Sequence, residues 1–383
     1  MTNDESSGKP KTLRAENAMT LRPQLIILGI RGLPAAHGGF ETFAERLAPY
    51  FQKHGWQVTV YCQGSTSGQR AEDEWQGIRR IHIPVKRLGS VGTIEFDIKC
   101  TLDVANLQGT ILTLGYNTGF LSAWLRLNGR RNFINMDGLE WKRLKYSRAQ
   151  RTYLWLNERL AAWAGTRLVA DHPAIADHLA TRVPRSKIVM IPYGSDQIND
   201  ADPTPLISMN LEPSRFFTLI ARAVPENSVL EIVRAFSSER RGVKLALLGS
   251  YDNNVPFEAS VLAAASSEVI FTGGVYDRPT LAALRHYSIA YLHGHQVGGT
   301  NPSLVEALGA GNAIIAHDNV FNRWVAGSAG LYFTDEKSCK NLIDDVLRDT
   351  ALLTRLRIAA RERWKHNFTW DAVLQSYLQA LAT

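Results

Sequence analysis

Residues 24–62 read QLIILGIRGLPAAHGGFETFAERLAPYFQKHGWQVTVYC, and the order of their parts decides the fold. QLIILGI, residues 24–30, is a nearly unbroken apolar run, as a parallel strand covered on both faces requires. RGLPAAHGG follows as a loop, a helix begins near Phe40, and Gly55 stands where that helix should stop. WQVTVYC is the next strand. Strand, glycine-rich turn, helix and strand form a βαβ unit, which sets the sheet in parallel order.

The alternation continues outward. Strand-like runs appear at 80–84 (RIHIP), 110–114 (TILTL), 132–136 (NFINM) and 167–170 (RLVA), and KIVMIPYG starts at Lys187. Helical runs lie between them, notably Ser147 to Ala164, with a period near 3.6. Residues 195–212, rich in Asp, Asn, Pro and Ser, have a linker composition. The pattern then restarts with FFTLIA (216–221), KLALLG (244–249), VIFTGG (269–274), IAYLHG (289–294), AIIAH (313–317) and GLYF (330–333). A length of 383 residues suits two domains. Two doubly wound α/β halves would face each other across a cleft, with ligands at the carboxyl ends of the strands.

Composition narrows the function. Hydrophobic residues make up 45% and charged residues 21%, which excludes fibrous and wholly disordered classes. The net charge of +7 is uneven: residues 1–200 carry 26 basic and 18 acidic side chains, whereas the rest carries 17 and 18. Much of the excess lies between Arg126 and Arg151, a pattern that solvated helix faces also show. Cys62, Cys100 and Cys339 are too far apart for a metal motif and read as buried thiols in a reducing compartment. Residues 1–23 are polar and lack the apolar core of a secretory signal, so they read as a disordered tail. No apolar stretch is long enough to span a membrane.

Four segments can carry chemistry. Gly38 and Gly39 after the first strand allow close approach of a ligand, and the helix behind them offers free N–H groups to an anion. HGHQVGGTNPSLVEA, residues 293–307, offers more glycines, a Thr hydroxyl and a helix start capped by Asn301, with Glu306 one turn in and able to accept from a ribose. His293 and His295 share a strand face, but no third ligand is evident, so no metal is expected. Arg222, in the sequence RAVPEN, ends the first strand of the second half and suits a diphosphate. NMDGLEWKR, residues 135–143, places Asp137 and Glu140 in a basic, aromatic setting fit for a general base or an acceptor binder; acids that stabilise a helix start would look the same.

Together these segments resemble a GT-B glycosyltransferase of family 4, of the bacterial rhamnosyltransferase-like subgroup, over nearly all of residues 24–383. The resemblance implies two Rossmann-like domains: an acceptor-binding domain at 24–200 and a nucleotide-sugar domain at 201–365. A C-terminal helix at 366–383 would cross back to the first domain. It implies retaining transfer of a hexose, such as rhamnose, from a nucleotide-diphosphate sugar in bacterial polysaccharide or cell-envelope synthesis. The acceptor would be a glycan or a polyprenyl-diphosphate-linked saccharide. Donor contacts carried over are Gly38, Gly39, Arg222, Asn227, His295, Gly298, Gly299, Thr300, Asn301 and Glu306. Acceptor contacts are Asn117, Asp137, Glu140, Trp141, Lys142 and Arg143, and the catalytic candidates are Asp137, Glu41 and Arg222.

Two positions depart from the family pattern: Gly298 stands where a first glutamate is usual, and Asn227 where a lysine is usual. No cofactor is expected. Location would be cytoplasmic, at the inner face of an anionic membrane, held by Arg130, Arg131, Trp141, Lys142, Arg143 and Lys145. The alternatives are an epimerase of the same fold or a non-catalytic nucleotide-sugar binder. Nucleic acid is not expected, because basic and aromatic residues do not interleave as a stacking platform.

Overall fold

The computed structural model describes residues 22–36, 38–65, 68–87, 89–143 and 145–382. The expected tail falls, up to residue 21, outside the described residues, as does His37 of the glycine loop.

The first sheet has eight strands: β1 (Gln24–Leu28), β2 (Gln57–Gly64), β3 (Ala71–Trp75), β4 (Ile78–Pro84), β5 (Thr110–Leu114), β6 (Asn132–Asn135), β7 (Arg167–Ala170) and β8 (Ile188–Met190). Their order is β3-β4-β2-β1-β5-β6-β7-β8, parallel throughout except for the β3–β4 pair. That antiparallel edge is a departure from the expected all-parallel pattern. AEDEW has no apolar run, and β3 is held by charge: Glu72 pairs with Arg79 at 2.7 Å and Asp73 with Arg80 at 2.6 Å. Gln76 and Gly77, both at positive φ, make the two-residue turn that a tight hairpin needs.

The second sheet has six parallel strands: β9 (Phe216–Ile220), β10 (Lys244–Leu248), β11 (Val269–Gly273), β12 (Ala290–His293), β13 (Ala313–His317) and β14 (Gly330–Phe333). Their order is β11-β10-β9-β12-β13-β14. The apolar runs read as β1, β9 and β10 are buried along nearly their whole length because helices cover both faces. In each sheet the strand order reverses beside the first strand, at β1/β5 and at β9/β12. A ligand can enter between diverging connections at such a point.

The chain crosses between domains twice, side by side: the Ser195 N–H donates to the Phe368 carbonyl at 2.9 Å. After the second crossing, the helix Trp370–Ala382 lies on the helix Gly39–Lys53 of the first domain. There Phe43 packs tilted against Tyr377 with centroids 4.7 Å apart, Tyr193 meets Trp370 at 5.0 Å, and the Asn135 amide donates to the Tyr377 hydroxyl at 2.8 Å. Leu374, Tyr377 and Leu381 are buried in the same core as β1.

Candidate functional site

A cavity of about 750 Å³ lies between the domains, bounded by Gly38, Gly39 and Arg46 on one side and by Arg222, Asn301 and Glu306 on the other. Gly39 meets the start of the helix Pro302–Gly309 directly: a Cβ there would lie 3.2 Å from the Pro302 ring. Asn301 caps that helix by accepting from the Ser303 N–H at 3.0 Å. Arg222 follows β9 and is exposed, and its guanidinium has no partner among the described residues. Arg143 and Lys145 reach the same region from the first domain: Arg143 lines a neighbouring cavity with Arg222. The Lys145 ammonium is lowered by burial and by the Arg222 and Arg143 charges, with Glu140 opposing. This is a concentration of positive charge suited to a diphosphate. Glu306 is not a free surface residue: it is half-buried and pairs with the buried Arg285. Its carboxylate still borders the cavity, and so does the ring of the exposed Tyr276.

A smaller cavity of about 280 Å³ opens off the inner end, sharing Gly39, Tyr193, Arg222, His295 and Asn301 with the first. Asp137 after β6 and Asp171 after β7 line it. Burial, reinforced by Glu140, pushes the Asp137 carboxyl up to about 6. Burial and the Asp137 charge push Asp171 up to about 8. Its Oδ2 accepts from the Thr300 N–H at 2.9 Å, and its carbonyl accepts from the Thr300 hydroxyl. Gly299 is what admits this carboxylate, since a Cβ there would lie 2.1 Å from Oδ1. Gly298 lies against Gly138. His295 stacks on His293 with centroids 4.4 Å apart. Burial, with Arg143 and Arg222, holds His295 down to about 3, so it stands there as a neutral ring. Among the described residues no group of three or more His, Cys, Asp or Glu is arranged to hold a metal ion.

The remaining expected site residues lie elsewhere. Glu41 and Asn117 line a third cavity of about 220 Å³, within the first domain at the β1/β5 reversal. Glu41 Oε1 accepts from the Arg31 N–H at 3.2 Å, and Asp97 shares the cavity, its carboxyl raised by burial to about 6. Asn227 is buried out of the cleft, and its amide donates to the Arg222 carbonyl at 3.0 Å, bracing the turn that carries Arg222. Glu140 is buried in a pair with Arg143 at 2.5 Å. The Trp141 indole donates to Glu158 at 2.6 Å, and the exposed Lys142 lies over its ring. None of Glu140, Trp141 or Lys142 borders a cavity described above. Sequence reasoning passed over Asp171, although RLVAD places an acid after a strand just as NFINMD does. Applying the carboxyl-end rule to every strand would have found it.

A family described as "Domain of unknown function (DUF1972)" matches residues 22–196. No curated protein matches the chain significantly in sequence. Among solved structures, sucrose-phosphate synthase from Thermosynechococcus elongatus superposes with a TM-score of 0.81 at 19% identity, covering 94% of this chain and 100% of that one. HepE from Anabaena, in complex with UDP and glucose, gives 0.72 at 15% identity, covering 94% and 100%. An alpha,alpha-trehalose-phosphate synthase (UDP-forming) from Burkholderia xenovorans, in complex with glucose-6-phosphate, gives 0.74 at 11% identity, also covering 94% and 100%. The fold shared with these proteins is the GT-B arrangement of two facing α/β domains.

Proposed function

We propose that the protein is a retaining glycosyltransferase that takes a nucleotide-diphosphate sugar in the cleft and transfers its hexose to an acceptor held by the first domain. The observation that carries this reading is the unpartnered Arg222 guanidinium beside the capped start of the helix Pro302–Gly309. Together they offer a diphosphate one forked cation and the positive end of a helix dipole. Glu306, oriented by Arg285, is placed to accept from the ribose hydroxyls, and Tyr276 offers a ring to the base. The UDP, UDP-glucose and glucose-6-phosphate in the complexes of structural neighbours add support by analogy of fold.

In the reaction the acceptor hydroxyl oxygen bonds to the anomeric carbon while the bond from that carbon to the β-phosphate oxygen breaks. The departing phosphate takes the hydroxyl proton. Arg222 and the positive end of the helix stabilise the charge that grows on the leaving diphosphate. Asp137, on the first-domain side of the inner cavity, orients the acceptor oxygen. The third cavity, with Glu41, Asp97 and Asn117, suits the hydroxyls of an acceptor saccharide.

A lipid-linked acceptor at the inner face of the cell membrane fits one face of the helix Arg148–Ala164. Tyr153, Leu156, Leu160 and Trp163 are exposed along it. Arg126 lies over the Trp163 ring at 4.8 Å, and Lys187 donates to the Trp163 carbonyl at 2.7 Å. Apolar side chains with two cations at one end suit an anionic bilayer surface. No described helix is long and apolar enough to cross a membrane.

The test is transfer. Purified protein supplied with labelled nucleotide sugars, dTDP-rhamnose and UDP-glucose among them, and with bacterial lipid extract should move label into the lipid fraction and release nucleoside diphosphate. Release of neither product from any donor would refute the reading.

A further inference from the structure

The two joined cavities differ in charge. The outer one is bordered by Arg46, Arg222, Arg278 and Arg285 against two acids, Asp196 and Glu306, whereas the inner one sets Asp137 and Asp171, on its first-domain wall, against Arg143 and Arg222. Arg222 and His295 stand at the boundary and line both. A nucleotide-diphosphate sugar has the same division, with an anionic diphosphate and an uncharged polyhydroxyl ring. The excess of arginines around the outer cavity suits the first, and the carboxyl groups of the inner one can hydrogen-bond the second, so the diphosphate faces outward and the ring inward.

Asp171 has capacity to spare. Its Oδ2 is engaged by the Thr300 N–H at 2.9 Å, but Oδ1 is shut off from solvent and has no hydrogen-bond partner among the described residues. A buried polar atom left unmatched costs about 1–3 kcal/mol, so such an atom calls for a partner. The glycine at 299 leaves room for this carboxylate and for no side chain of its own.

We infer that the inner cavity receives the transferred sugar, and that Asp171 is a specificity-determining residue that binds its hydroxyls, with Asp137 beside it at the reacting face. This rests on the transferase reading above and adds to it a residue and a direction of binding. Hydroxyl recognition then comes from the first domain, through an acid that also joins the domains at Thr300. The sugar is thereby read only when the domains are together.

The test is a comparison of affinities by calorimetry on the full chain. The probes are UDP against UDP-glucose, GDP against GDP-mannose, and dTDP against dTDP-rhamnose. In Asp171→Ala, affinity for the preferred sugar nucleotide should fall roughly tenfold, the cost of one lost hydrogen-bonding group, while affinity for the matching nucleoside diphosphate stays within about twofold. Asp171→Asn keeps an acceptor for Thr300 and carries the test if the alanine variant does not fold; its ratio should fall at least about threefold. An unchanged ratio in both folded variants overturns the assignment, and so does an equal loss for both probes, which a purely structural joint would give. Failure of the parent to bind any nucleotide would instead bring down the transferase reading, and this inference with it.

Discussion

Arg222 is held in place through its backbone and left free at its guanidinium: Asn227 grips its carbonyl, and no acid answers its charge among the described residues. Replacing it with alanine removes a charge-assisted contact of about 1.5–3 kcal/mol, so nucleoside diphosphate affinity should fall roughly tenfold to a hundredfold by titration calorimetry. Asp171 gives a prediction in pH. Its carboxyl is raised in the folded chain above its ordinary value, so the stability it contributes is complete below pH 4 and is lost as pH rises towards about 8. Asn cannot ionise. The melting temperature of Asp171→Asn relative to the parent should therefore climb between pH 5 and pH 8; a flat difference would contradict the raised value. Arg222 was legible in the sequence because it ends an apolar strand. The position of Asp171 was legible by the same rule; its role was not, because it depends on Gly299 and Thr300, well over a hundred residues away and brought to it only by domain contact.

At the scale of elements, apolar strands were legible and charged ones were not. QLIIL and KLALL announce burial on both faces, while AEDEW becomes a strand only because Arg79 and Arg80 lie opposite it. The period of residues 147–164 marked a helix, and the structure adds the Ser147–Gln150 capping box and shows which apolar residues stay outside. The basic segment expected to meet a membrane behaves differently. Arg130 is spent on the Ala105 carbonyl at 3.0 Å, Trp141 on Glu158, and Arg143 on Glu140. Arg131, Lys142 and Lys145 remain exposed, and the proposed membrane contact adds to them the apolar face of the helix Arg148–Ala164. Leu156→Glu combined with Trp163→Glu should abolish sedimentation with anionic liposomes at low salt and leave nucleotide binding intact; undiminished sedimentation would refute that face. The closing helix makes a separate prediction. Trp370 is buried against Phe43 and Tyr193, so Trp370→Ala should cost about 3–5 kcal/mol in denaturant unfolding.

Across the whole molecule, the uneven charge acquires a place. The first 200 residues hold an excess of eight positive charges and the rest a deficit of one. The structure directs Arg143 and Lys145 of that excess to the cleft, and Arg126 and Lys187 to the apolar helix face. The two-domain layout could be read from the repeated alternation of strand and helix. The division of the site into an outer cavity rich in arginine and an inner one that holds two aspartates could not, since each cavity draws residues from both halves of the chain. That division stands or falls with donor binding at Arg222. The most direct measurement is thermal unfolding of the parent and of Arg222→Ala against a series of nucleotide sugars. Binding to the folded state adds about 2.7 kcal/mol at a hundredfold excess over Kd. The account predicts a concentration-dependent rise in Tm for at least one nucleotide-diphosphate sugar in the parent, strongly reduced in Arg222→Ala. No rise with any of them at millimolar concentration, or an equal rise in both proteins, would contradict it.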